Sequence, residues 1–160
     1  MTVTSRFPAP AAYEDLKPGT FFTYTDDSRS GLGLRVTNGR SLGALVICED
    51  DGEAKPYART AGFPTYVEAI EEDITIMPLE GDGLGHTSTD FAAGGSLWLM
   101  RDGDFAVRTA GPSHKAVWWS LVTGQMRIDQ PDSSDIVHQR WKAVARGERP
   151  GDEIELFRFG

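Results

Sequence analysis

The groups with most chemical potential in this chain are its three histidines and the carboxylates near them. His86 follows a glycine-rich run, Gly81-Asp82-Gly83-Leu84-Gly85, and Asp90 lies four residues on. An imidazole can carry a proton near neutral pH, and a carboxylate beside it can fix its tautomer, so His86 and Asp90 form a candidate general acid–base pair. With Asp82 they offer three donors of the kind a divalent metal takes. The histidines stand far apart, however, and no His-x-His or His-Glu-x-x-His spacing occurs, so neither a metal nor another cofactor is expected. The glycine spacing imitates a nucleotide loop but lacks the following Lys-Ser/Thr, and Asp82 would repel a phosphate. His114, next to Ser113 in a Gly-Pro turn, is the third catalytic candidate. No Gly-x-Ser-x-Gly elbow supports it, and triads are assembled in space rather than in sequence.

Glu68, Glu71 and Glu72 invite a paired-carboxylate reading. Glycosidic chemistry needs two such groups facing each other across a cleft, and a solvated acidic face is the simpler expectation. The four tryptophans, Trp98, Trp118, Trp119 and Trp141, all fall in the second half. Neighbours on a strand point to opposite faces, so Trp118 and Trp119 must part company. Trp98, Trp119 and Trp141 are assigned to the core. Trp118 either covers the sheet's second side or is the first choice for an exposed protein-binding anchor, with Arg108 and Arg127 as polar neighbours on adjacent strands.

The elements that would position these groups are mostly strands. Leu32, Leu34 and Val36 alternate with small or polar residues, Asn38-Gly39 marks a turn, and residues 42–48 return with apolar groups on both faces. Asp102-Gly103 and Thr123-Gly124 mark two further hairpins. A strand is also expected over residues 74–77, and two more over residues 21–25 and 153–157 follow turns at residues 17–20 and 149–152 that share a basic-Pro-Gly pattern. A helical turn is expected at residues 13–16. Residues 64–73 read as either a short helix or a strand, and the spacing of Val67 and Ile70 suits the helix. Val137, Trp141, Val144 and Ala145 form a helical stripe behind an Asp132 cap, which makes residues 132–146 the longest helix candidate. The expected fold is mainly β, a small antiparallel β-barrel or β-sandwich with one to three short helices. Residues 1–12 read as a flexible arm and residues 13–160 as one β-rich domain.

The composition sets outer limits. The chain has 160 residues, 39% hydrophobic and 25% charged, with a net charge of −8. That excludes an unstructured acidic chain, and no apolar run is long enough for a membrane span. Eleven acids and two bases lie between residues 49 and 90, leaving the rest near neutral. Direct nucleic-acid binding is not expected, because polyanions need a concentrated basic surface. Cys48 is the sole cysteine, so no intrachain disulfide forms, and its apolar surroundings suggest a buried thiol. Together with an N-terminus lacking an apolar leader, this places the chain in the cytoplasm as an expectation. The leading functional expectation is a non-catalytic module that binds a protein partner or self-associates as a homo-oligomer. Two alternatives accompany it: a small hydrolase or isomerase with a His/carboxylate site in a barrel mouth, and an acidic inhibitor imitating nucleic acid.

Overall fold

In the computed structural model of the chain, the described residues are 10–27, 29–49, 56–79, 94–110, 115–128, 135–147, 149 and 151–159. They form thirteen strands and one 3-10 turn, Tyr13–Asp15. The first sheet has six strands in the order β1 (Pro10–Ala12), β6 (Tyr66–Ala69), β2 (Phe21–Thr25), β3 (Ser30–Thr37), β4 (Leu42–Glu49) and β5 (Tyr57–Arg59). The second has four, β10 (Ala116–Ser120), β9 (Phe105–Ala110), β8 (Leu97–Leu99) and β11 (Ile136–His138). The third has three, with β12 (Trp141–Arg146) between β13 (Glu153–Phe159) and β7 (Asp73–Pro78). Neighbouring strands within each sheet are antiparallel.

Alternation decides which side chains meet. On β3, Leu32, Leu34 and Val36 point one way and join Phe21, Leu45 and Ile47. Leu97, Val107 and Trp119 of the second sheet and Trp141, Ala143, Ala145 and Phe157 of the third meet them in one core. The opposite face of the first sheet carries a smaller cluster of Tyr13, Leu16, Phe22, Tyr24, Ala44 and Val67. There Phe22 lies over Gly33, its register partner on β3, and a methyl group on Gly33 would collide with the ring. The second sheet also has two apolar faces, and its other side gathers Trp98, Met100, Ala106, Trp118 and Val137.

The first and second sheets are stitched together at Thr37. Its N–H donates to the Gly124 carbonyl at 2.9 Å, and its carbonyl accepts from the Met126 N–H at 2.9 Å. Residues 124–127 turn back on β10, where the Ser120 N–H donates to Gln125 O and the Arg127 N–H to Trp118 O. Gly124 has a φ of +71°, and a Cβ there would overlap Gly19 N and Arg35 O. The turns at residues 18–19 and 123–124 therefore approach too closely for any side chain at this position.

Several expectations are corrected by this arrangement. The fold is mainly β, but the sheets are open and uncurled, so it is not a β-barrel. The order of strands leaves β1 and β5, β10 and β11, and β13 and β7 as outer strands instead of closing any sheet on itself. The helix expected over residues 132–146 is replaced by β11 and β12, with residues 132–134 outside the described set. Val137 packs in the second sheet's outer cluster and Trp141 in the central core, so one helical face could not serve both. The β-branched Ile136, Val137 and Val144 favour strand. Of the two readings of residues 64–73 the strand is the one found: Val67 lies on β6, and Val67 and Ile70 are buried in different clusters. Pro10–Ala12, read as part of the arm, pair with β6. Cys48 is half-buried against the central core.

Candidate protein-binding surface

The outer face of the second sheet is the surface toward which the sequence pointed. Trp118 and Arg108 are direct register partners on β10 and β9. The Arg127 N–H donates to Trp118 O at 2.8 Å on the other side. The three residues assigned to protein binding are thus adjacent. Of its two readings, Trp118 covers the sheet's second side and is not an exposed anchor: it is 5% exposed and packs edge-to-face on Trp98, with ring centroids 5.7 Å apart. Both indole N–H groups, Trp98 Nε1 and Trp118 Nε1, are buried without a hydrogen-bond acceptor. Trp119 faces the central core and donates to Thr109 Oγ1 at 3.0 Å, and Trp141 donates to Gly95 O at 2.8 Å.

Arg127 ends in a fixed network. Its Nη1 reaches Asp104 Oδ2 and Asp102 Oδ2, each at 2.9 Å. The other Asp104 oxygen accepts from Ser120 Oγ at 2.9 Å. Ser120 Oγ in turn accepts from the Val122 and Thr123 N–H groups. The two hairpin ends, residues 100–104 and 121–124, are locked together through one serine and one arginine. Arg127 and Asp104 are mostly shielded from water, which strengthens their pairing over that of a fully exposed ion pair.

These two hairpin ends enclose a shallow depression of about 650 Å³ that also includes Val122 and Ile128. Ile128 is 93% exposed and Val122 is 62% exposed. Two large aliphatic side chains are thus presented to water on a braced polar frame. Sequence reasoning missed both. Met126 and Ile128 alternate as strand residues would, but the last pairing bond recorded on this segment comes from Arg127, and Ile128 projects beyond it. Asp102 and Asp104 were visible only as turn residues.

A second polar cluster lies on the first sheet. Tyr24 and Tyr57 both donate to Glu49 Oε1, at 3.1 and 2.8 Å, while Arg29 Nη1 reaches Glu49 Oε2 at 3.3 Å. Burial raises the Tyr24 phenol well above its ordinary value of 10.0, and the hydrogen bond and negative charge of Glu49 raise it further. Tyr57 is raised by the same causes in the same order. These phenols stay protonated at neutral pH and act as donors.

The catalytic candidates His86, Asp90 and His114 lie outside the described residues, as does Asp82. Among the described residues, no group of three or more His, Cys, Asp or Glu side chains is placed to hold a metal, and no helix is long and apolar enough to cross a membrane. Glu68 lies on β6, and Glu71 and Glu72 in the link to β7, so the three do not share a helical face. No protein-family model matches the chain, and comparisons with curated proteins and with solved structures find no similar protein.

Proposed function

We propose that this chain is a non-catalytic protein-binding module that engages its partner through the hairpin surface around Ile128. The observation that carries the reading is the exposure of Ile128 and Val122 on one depression braced by Arg127, Asp102 and Asp104. Removing two aliphatic side chains from water contributes about 1.5–3 kcal/mol each when burial is complete, which suits a modest interface. A preformed frame limits the ordering cost of association. Asp102 remains largely open to solvent, and the chain is acidic overall, so the matching partner presents an apolar side chain beside a basic group.

Docking of side chains is favoured over pairing of strand edges. The third sheet's outer strands are blunted by charge and proline: Arg158 pairs with Glu155, Arg146 with Glu153, and Pro78 ends β7.

A photo-crosslinking residue at position 128 of the full chain, in the cells that make it, tests the reading. One discrete adduct is expected, and Val122→Asp should abolish it. The same group at Tyr66, exposed on the first sheet, should give none. Light scattering on the purified chain then tells a second copy from a different protein. Equal labelling from both positions, or an adduct indifferent to Val122→Asp, overturns the proposal.

A further inference from the structure

Arg35 is the most deeply buried charged residue among the described ones, at 2% exposure. It sits on β3 between Leu34 and Val36, which face the central core, so its side chain enters the opposite cluster beside Tyr13. The guanidinium carbon lies 4.2 Å from the Tyr13 ring centroid. Its hydrogen bonds are long: Nε donates to Leu16 O at 3.4 Å and Nη1 to Gly43 O at 3.3 Å. Nη2 faces Glu14 in an ion pair that spans 3.9 Å. Glu14 is itself 87% exposed. A buried cation normally has a buried counter-charge, because an isolated one is costly to desolvate. Among the described residues, the carboxylate paired with it belongs to an exposed side chain that can swing away.

The surroundings fit an anion in that role. Arg35 lines an open cleft of about 450 Å³ with Tyr13, Glu14, Arg40, Ser41 and Thr60. Arg40 adds a second positive charge from the exposed turn between β3 and β4. The cleft is thus net basic in a chain of charge −8. A long polyanion would be repelled by the rest of the molecule, whereas a small one meets only the cleft. The Tyr13 hydroxyl, buried in the same wall beside Arg35, makes no hydrogen bond of good geometry.

We propose that this cleft binds a small organic anion, whose carboxylate or phosphate group docks on Arg35 in the place that Glu14 now approaches. Guanidinium offers a planar fork that matches two oxygens of either group, which makes the contact both strong and oriented. Glu14 is then a competitor held at the entrance: it shields Arg35 when the cleft is empty and yields when a better-placed oxyanion arrives. The site is separate from the Ile128 surface, and either can fail without the other.

The test titrates succinate and, in a separate arm, inorganic phosphate into the full chain at constant ionic strength, following the Arg35 Nε–H resonance by NMR. Saturable movement of that resonance is expected in at least one arm, and the tighter arm identifies the group. Glu14→Gln should tighten binding at least threefold by removing the competitor. Arg35→Lys, which lacks that resonance and is followed by calorimetry alongside the unmodified chain, should weaken it at least tenfold, since a point charge cannot replace the fork. An unmoved Arg35 resonance in both arms overturns the proposal, as does a Glu14→Gln chain with unchanged affinity. The Glu14 variant alters an exposed side chain, so the test stands even if Arg35→Lys does not fold.

Discussion

Replacing Gly124 by alanine tests the claim that two turns and one strand end meet without room for a side chain. Two costs add at this position. The backbone has a φ of +71°, where an L-residue pays about 1 kcal/mol relative to glycine. The new Cβ would also overlap backbone atoms of Gly19 and Arg35 and stand 3.0 Å from the Pro18 carbonyl carbon. Backbone cannot rotate aside as a side-chain tip does, so relief requires the first and second sheets to separate locally, at about 1–3 kcal/mol for overpacking of this kind. The expected total is about 2–4 kcal/mol. Gly39 supplies the internal control: its φ is +88°, but a Cβ there meets nothing within 4 Å. Gly39→Ala therefore carries only the conformational part, about 1 kcal/mol. Urea denaturation of both variants reads the difference. With a slope of about 2 kcal/mol per molar, Gly124→Ala should lower the midpoint by about 1–2 M and Gly39→Ala by about 0.5 M. Equal shifts would refute the crowding argument and, with it, the stitching of the two sheets through residues 123–126.

Two further outcomes follow from the same packing. Trp141→Phe leaves the buried Gly95 carbonyl without its 2.8 Å donor and opens space in the core, for an expected loss of about 2–4 kcal/mol, whereas Trp118→Phe removes an N–H that has no acceptor and should cost less; denaturation curves that rank the two the other way would contradict this. Because Tyr24 is held above its ordinary value of 10.0 in the folded state, the stability it lends is intact below about pH 10 and is lost as pH rises further, where the unfolded chain ionises first; tyrosinate absorbance and urea midpoints measured together up the alkaline range should show that decline, and Tyr24→Phe should flatten it.

Much of the fold was legible where local chemistry and final structure agree. The Asn38-Gly39 and Asp102-Gly103 turns, the strand at residues 21–25 and the division of Trp118 from Trp119 all follow from turn preference and strand alternation. The paired basic-Pro-Gly segments are true turns, closed by the Thr20 N–H to Lys17 O and the Asp152 N–H to Arg149 O. Failure came where a periodicity fits two structures. Val137, Trp141, Val144 and Ala145 are all buried, as a helical stripe demands, yet Val137 lies on β11 in the second sheet's outer cluster while Trp141 and Ala145 lie on β12 in the central core. Choosing between these requires knowing that β7 and β8 wait as partners, which is non-local information. The same limit applies to the binding surface. The adjacency of Arg108, Trp118 and Arg127 came from counting along hairpins, but the burial of Trp118 depends on what covers the sheet. The charge of Arg35 gave no hint of depth, since arginine is seldom fully buried and only the three-dimensional neighbourhood reveals that this one is.

The central core has a consequence for how the chain is made. Its members run from Phe21 to Phe157, and β7, at residues 73–78, has no strand partner until β12, at residues 141–146, is in place. A ribosome delivers these partners in order and far apart in time. The first sheet can pair early, but the apolar side it turns toward the second and third sheets stays uncovered until the last strands emerge. During that interval the side of the first sheet that carries Leu34, Leu45 and Ile47 lacks its final cover, and core closure must wait for strands distant in sequence, which slows folding.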